Sequence, residues 1–364
     1  MIFHRTLAAI IIGTTFAAIP CSAQTSQKLT AGKANEYGLI YSLPLTGVDI
    51  CIEAELTREE PGEFFNYAKR HLGISDAITK ESRRANLRSV TFIPRGIADA
   101  DNRWTAQFKA GSTPFMILDG TGIPLAINTE NIPDDNVTTL PQAKEAGPTP
   151  LQTEAARQAV TQEMARSSST SKRAELAAQR IFELREMRSD ILSGQADNTP
   201  PDGKAMQLVL DNIAAQEAAL TAMFAGTRSS STVVERIAFI PDSAEVNAKV
   251  IARLSAVEGI VAPGNLAGAP ITLDLTILDE GTLPVNEKGE TKRFPKGGVA
   301  YNIPGKAHLA VSYGGREIAA ADIELAQLGV TFGLDPAIFT DKKAPSKLIF
   351  DPATGAIRLL GPAD

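Results

Sequence analysis

Val48-Asp49-Ile50-Cys51-Ile52-Glu53-Ala54-Glu55-Leu56 alternates without a break. Val48, Ile50, Ile52, Ala54 and Leu56 fall on one face of an extended chain, and Asp49, Cys51, Glu53 and Glu55 on the other. Side chains that change face at every residue mark a strand with one buried side, whereas a helix would repeat every 3.6 residues. The stretch therefore reads as a long strand of a sheet with one buried face, and the chain around it as β-rich.

Upstream, residues 37–43 are extended and Pro44 to Gly47 are expected to turn the chain. Downstream, Pro61-Gly62-Glu63 opens a short helix through Leu72, with Phe64, Phe65, Ala68 and Leu72 available to pack and Gly73 as its stop. Strands are expected at 87–94 and 103–110, the latter alternating Trp104, Ala106, Phe108 and Ala110. A hairpin of 116–118 with 123–127 is turned by Asp119-Gly120-Thr121-Gly122. The middle of the chain changes period. Ala177, Ile181, Leu184, Met187 and Ile191 recur at spacings of three and four over 172–193. Met206, Leu210, Ile213, Leu220 and Phe224 form a matching stripe over 204–224, and Gly194 and Gly226 end the two helices. A loop of this length predicts an antiparallel helical hairpin, with a further helix at 151–166. After Val233 strands return at 237–241, 249–254, 271–278, 298–303, 308–313 and 322–327. A last hairpin, 348–350 with 356–360, surrounds Asp351-Pro352-Ala353-Thr354-Gly355.

The expected architecture is α+β: two β-rich, antiparallel, sandwich-like domains with a central antiparallel helical hairpin. Its boundaries are a signal peptide at 1–23, an N-terminal β-rich domain at 24–130 and a linker at 131–150 containing Pro133, Pro141, Pro148 and Pro150. The hairpin region follows at 151–228 and the C-terminal β-rich domain at 229–364. Serine-rich patches at 167–171 and 229–232 read as flexible joints. The two β-rich parts echo each other. Gly38-Leu39-Ile40-Tyr41-Ser42-Leu43-Pro44 resembles Gly298-Val299-Ala300-Tyr301-Asn302-Ile303-Pro304, and Ile117-Leu118-Asp119 with Thr121-Gly122 resembles Ile349-Phe350-Asp351 with Thr354-Gly355. Thr91-Phe92-Ile93-Pro94 also resembles Ala238-Phe239-Ile240-Pro241, out of order with the other two pairs. Duplication and recurrent turn chemistry both account for these echoes.

His4 and Arg5, an apolar run over 7–19 and the small residues Cys21-Ser22-Ala23 have the layout of a secretory leader cleaved after Ala23. The run is shorter than the ~20 apolar residues of a membrane span, and no later stretch reaches that length. A periplasmic or secreted protein without a transmembrane segment is expected. Lipidation at Cys21 is disfavoured, because Ala18 and Pro20 stand where a lipobox carries a large aliphatic and a small residue. Loss of Arg5 with the leader leaves 35 basic and 42 acidic side chains, a net charge of −7. An acidic balance argues against a nucleic-acid partner. Cys51 is the only cysteine after cleavage, so no internal disulfide and no multi-cysteine metal site can form.

The search for reactive groups yields no catalytic, cofactor-binding or metal-binding residue to nominate. His71 sits at a helix end, where imidazolium suits the dipole; His308 opens a strand with no partner nearby in sequence. Ser169-Thr170-Ser171-Lys172 has a Ser-x-x-Lys spacing but lacks the companion motifs of penicillin-recognising enzymes. Cys51, flanked by Asp49 and Glu53, has its thiol pKa pushed upward, the wrong direction for a nucleophile. Gly120-Thr121-Gly122 lacks the third glycine and the helix of a dinucleotide loop. Asp99-Ala100-Asp101-Asn102-Arg103-Trp104 begins like a calcium loop but has Arg103 and Trp104 where a ligand and a glycine belong. The acid pairs Asp279/Glu280 and Asp322/Glu324 are the residues a glycosidase would draw on.

Several motifs occur together in one family. They are Gly-x-x-Tyr-x-Leu-Pro at 38–44, Pro61-Gly62-Glu63-Phe64, Leu125-Ala126-Ile127-Asn128-Thr129, and the run from Ile181-Phe182-Glu183-Leu184 to Gly194-Gln195-Ala196-Asp197-Asn198. Over nearly its whole length the chain resembles a domain-of-unknown-function family of secreted Bacteroidetes proteins (family 4831). That resemblance implies a Gram-negative envelope address and brings no activity, cofactor or site residues. Asp242-Ser243-Ala244 also matches a short O-glycosylation acceptor of those bacteria. The functional expectation is a non-catalytic envelope protein that binds or assembles with a protein or glycan partner. A periplasmic assembly factor is its special case, needing an exposed apolar groove or sheet edge. The alternative is a carboxylate-based hydrolase of envelope glycan, with Trp104 or a tyrosine on the cleft wall.

Overall fold

The computed structural model describes residues 39–106, 114–133, 140–196, 203–242, 244–341 and 343–363. The expected leader with Cys21, Phe108 and Ala110, residues 134–139 of the expected linker, residues 197–202 between the long helices, and Ser243 lie outside them.

The alternating stretch lies inside β1 (Leu39–Glu60), which pairs antiparallel with β2 (Ser82–Ala106) and β5 (Thr227–Phe239). Both strands are longer than expected. Pro44 to Gly47 do not turn the chain, and the strands expected at 87–94 and 103–110 are one. Pro44 sits at a register shift, where Ser42 pairs with Arg103 but Pro44 with Ala98, so β2 carries the extra residues as a bulge. Pairing with β5 covers only Val48–Glu60. At Pro44 the strand therefore has one hydrogen-bonded neighbour, and a proline without an N–H is tolerated there.

Between β1 and β2 a 3-10 turn (Phe65–Tyr67) leads into α1 (Ala68–Leu72), which ends on Gly73 at φ 70. A short hairpin follows, β3 (Met116–Leu118) with β4 (Pro124–Ile127). The helical middle comprises α2 (Glu154–Ala159), α3 (Gln162–Arg166), α4 (Thr170–Ser193) and α5 (Lys204–Ala225). The single helix expected at 151–166 is broken after Ala159, and Thr161 starts α3 by accepting a hydrogen bond from the Met164 N–H. The serine-rich patches are not joints. Ser169 caps α4, and 229–232 belong to β5. Met187, expected on the packed stripe of α4, is 42% exposed, while Ala177, Ile181, Leu184 and Ile191 are buried.

The remaining strands are β6 (Val246–Ser255), β7 (Gly259–Val261), β8 (Ala269–Asp279), β9 (Val299–Tyr313), β10 (Arg316–Leu334), β11 (Ser346–Phe350) and β12 (Ile357–Pro362). Three antiparallel sheets result, ordered β2-β1-β5, β10-β9-β8-β6-β7 and β12-β11-β4-β3. Val48, Ile50, Ile52 and Ala54 of β1 meet Ile271, Leu273 and Leu275 of β8 and Leu309 and Val311 of β9, giving the first two sheets a sandwich core. A second core gathers Phe64 and Ala68 with Ile181 and Leu184 of α4 and Ile213, Leu220 and Phe224 of α5. A third gathers Tyr41 and Leu43 with Val299, Ala300, Leu348 and Phe350. Strands from both expected β-rich segments thus share sheets, β1 with β5 and β4 with β11, and residues 38–364 group as one compact unit.

Two of the three sequence echoes are structurally equivalent. Pro304, like Pro44, lies mid-strand at a bulge, where Ile303 pairs with Val330 but Gly305 with Leu325. Pairing with β8 begins only at Lys306. Ser42 donates its N–H to the Gly122 carbonyl, and Asn302 donates its own to the Gly355 carbonyl. The Asp119 carboxylate accepts from the Thr121 N–H and hydroxyl, and Asp351 accepts from those of Thr354. The two motifs also meet: the Tyr41 hydroxyl accepts from the Ala300 N–H at 2.6 Å and donates to its carbonyl at 3.2 Å. The Phe-Ile-Pro segments, out of that order, both flank β1, one within β2 and one at the end of β5.

Candidate binding cleft and the polar sheet face

Where β1, β2 and β5 run past the sandwich core, a cleft of about 360 Å3 opens. Leu56, Arg58 and Glu60 of β1 line it with Arg83 of β2 and Ser229 and Ser231 of β5. Alternate residues of a strand share a face, so the alternation that buries Val48 to Ala54 aims Arg58 and Glu60 into the cleft. The β6–β7 turn contributes Ala256 and Val257, the end of the expected linker contributes Ala146, Gly147 and Thr149, and Gln152 follows it. That segment is fastened by reciprocal backbone hydrogen bonds between Lys144 and Thr232. The charges are internally balanced: Arg58 pairs with Glu60 and Glu81, and Arg83 with Glu81 at 3.0 Å. Guanidinium donors, carboxylate acceptors and hydroxyls beside an apolar wall of Leu56 and Val257 suit a neutral, hydroxyl-rich ligand.

The opposite face of β1 is a carboxylate stripe. Asp49 is buried and bound by Arg95 at 3.0 Å and by Arg236. Burial works to raise its pKa, but the hydrogen bonds from Arg236 and Arg95 and their charges outweigh it, leaving the carboxyl below its ordinary value. Glu55 is lowered by the Ser230 hydroxyl and Arg88, and Glu59 by the Ser82 hydroxyl and Arg228. Cys51 lies buried in this stripe. Desolvation chiefly raises its thiol, Arg236 opposes and Asp49 adds to the rise. The expected direction holds, with burial rather than neighbouring acid as the main cause.

Asp49 has a stability consequence. A carboxyl whose folded-state pKa is depressed stabilises the fold above its unfolded pKa and loses that contribution as pH falls through the folded value. Asp49→Asn is expected to cost about 2 kcal/mol at neutral pH, discounted because both guanidiniums are partly solvated. The gap from the parent should close as pH falls below about 4. Urea melts of both proteins over that range measure it; a gap that is constant with pH would refute the ionic origin.

The sequence candidates are dispersed. His71 packs near Tyr67 and the edge of Phe224. His308 does have a partner, since its Nδ1 lies 2.6 Å from Asp322 across the β9–β10 pair, on an exposed face. Its sequence separation of fourteen residues is a strand-pairing distance, invisible before the register is known. Lys306 and Glu324 stand two pairs along, on the same face, and Asp279 ends β8. Asp99 accepts from the Asp101 N–H within the β2 bulge, and Asn102 accepts from the Trp104 indole at 2.6 Å. Phe294 stacks on Trp104 with centroids 5.1 Å apart, so a ring of the same chain covers one indole face. Ser169 is engaged as a cap, and Gly120 and Gly122 form the turn closed by Asp119. Among the described residues no group of three metal-ligating side chains converges, and no helix is long and apolar enough to cross a membrane. The cleft residues escaped the sequence reading because Ser229 and Ser231 looked like a joint; the β-branched Thr232-Val233-Val234 after them was the available signal.

The sequence pattern of a family described as Domain of unknown function (DUF4831) matches residues 37–358. No curated protein and no solved structure matches the chain.

Proposed function

The chain belongs to this domain-of-unknown-function family, and from that premise we propose that it is an exported envelope protein that binds a glycan partner without turning it over. The cleft carries this reading. Its Arg58, Glu60 and Arg83, the arginines held by Glu60 and by Glu81 beside the cleft, offer matched donors and acceptors with the hydroxyls of Thr149, Ser229 and Ser231 around an apolar wall. The leader layout at 1–23 supports export, with the mature chain beginning at or near Gln24 in the periplasm or outside the cell. The hydrolase alternative draws on Asp322 and Glu324, which stand on the exposed face of β10.

Gly147 supplies the test. A Cβ added there meets nothing within 4 Å, so a side chain can start from this lining position without a backbone clash, and Gly147→Trp is the variant expected to block the cleft. Calorimetric titration against a panel of neutral and acidic envelope oligosaccharides should show binding by the parent, and loss of binding by Gly147→Trp with an unchanged melt. Binding that survives the substitution would place the site elsewhere, and released reducing ends during the titration would favour the hydrolase.

A further inference from the structure

The third sheet is built from two like hairpins joined through β4 and β11, which leaves β3 and β12 outermost among the described residues. In the first copy Met116 pairs with Ile127, Ile117 with Ala126 and Leu118 with Pro124. In the second, Leu348 pairs with Leu360, Ile349 with Leu359 and Phe350 with Ile357. Both copies skip one residue at the same step, Leu125 and Arg358 respectively. Together with the matching Asp-Thr turns and the matching Ser42 and Asn302 bonds, this makes β3 the counterpart of β11, and β4 the counterpart of β12.

β4 does not end the sheet. Its second edge is taken by β11, with Ile127 opposite Leu348 and Ala126 opposite Ile349. The counterpart edge of β12 has no strand beside it among the described residues, and neither does the edge of β3. We infer that a second copy of this chain lays its β3 along the outer edge of β12, repeating between molecules the β4–β11 pairing found within one. Equivalence fixes the register, with Leu360 opposite the second copy's Met116 and Leu359 opposite its Ile117. The backbone groups of both edges are then hydrogen-bonded, which an open edge otherwise leaves to solvent. Apolar exposure agrees: Leu359 is 43% and Leu360 47% exposed on β12, and Phe115, just before β3, is 45% exposed. The contact joins two different surfaces, so it does not close on itself after two copies. It builds rings or open chains.

Single-cysteine variants test both contact and register. Leu359→Cys and Ile117→Cys form one predicted pair, Leu360→Cys and Met116→Cys the other. One of the two pairs is the closer, non-hydrogen-bonded type that suits a disulfide. The full-length chain is used with Cys21→Ser; Cys51 is buried and does not compete. Mixing the partners of a predicted pair under oxidation should give cross-linked dimers that neither variant gives alone. Sedimentation of the parent should show species growing past the dimer with concentration, and Leu359→Lys, at an exposed position, should abolish them while leaving the melt intact. A parent that stays monomeric at every concentration would overturn the inference. So would cross-linking by each variant alone as strong as in the mixture, because that pattern is an edge pairing with itself.

Discussion

Ile181→Asp is expected to melt the helical core while leaving the sheets folded, a loss of ~4 kcal/mol or more confined to one part of the molecule. Ile181 is fully buried among Ala177, Leu184, Leu220 and Phe224. A carboxylate there has no cation to meet and either pays a large desolvation cost or protonates. The damage should stay local because the second core shares no residue with the other two. Two backbone bonds fasten the connection between β1 and β2 to α5: the Phe64 N–H to the Met223 carbonyl at 2.7 Å and the Ile78 N–H to the Ala225 carbonyl at 2.8 Å. Residues 61–78 should loosen with the helices. Circular dichroism should lose its helical signal and keep the strand signal, and the sheets should then unfold at a higher temperature. A single transition that takes helix and strand together would mean that α5, which runs into β5, transmits its loss to the sandwich.

The period of the sequence made much of this fold readable and little of its connection. The alternation from Val48 to Leu56 and the stripe from Ala177 to Ile191 report local geometry, and both elements stand where they were expected, Met187 excepted. Prolines were misleading. Pro44 was expected in a turn and Pro304 falls between two expected strands, 298–303 and 308–313, but each lies mid-strand at a bulge beyond the reach of the neighbouring strand, a context that only the register reveals. Pairing of β4 with β11 joins segments more than two hundred residues apart, and no local signal carries it. The candidate cleft was harder still, since Arg58, Arg83, Ser229 and Val257 come together only because three strands end beside one turn. The echoes Tyr41/Tyr301 and Asp119/Asp351 were legible as strings. Their meaning depended on bonds such as Ser42 to Gly122 and Asn302 to Gly355.

The two repeats are tied to each other by the Ala300 N–H to the Tyr41 hydroxyl and by the Asn302 side-chain amide to the Pro44 carbonyl, and Gly96 probes a nearby point where almost no space remains. Gly96 of β2 pairs with Thr46, whose hydroxyl donates to the Ala353 carbonyl at 2.9 Å and accepts from the Ala326 N–H. A Cβ on Gly96 would lie 2.1 Å from the Pro352 carbonyl oxygen and 3.1 Å from Ile123. The obstacle is backbone, in a turn already fixed by Asp351, so it cannot rotate away as a side chain would. Gly96→Ala should force the Asp351–Gly355 turn off β2, losing the Thr46–Ala353 bond and strain-free packing of the third core together. Overpacking of 1–3 kcal/mol plus a broken buried hydrogen bond gives a cost of about 3 kcal/mol. Gly120→Ala, in the counterpart turn where a Cβ meets nothing within 4 Å, should change stability by less than about 0.5 kcal/mol. If the repeats merely touched, the two alanine variants would melt alike. A large loss for Gly96→Ala alone is the result expected of an interlock between β2 and the second repeat's turn, whose Pro352 carbonyl stands where the added Cβ would go.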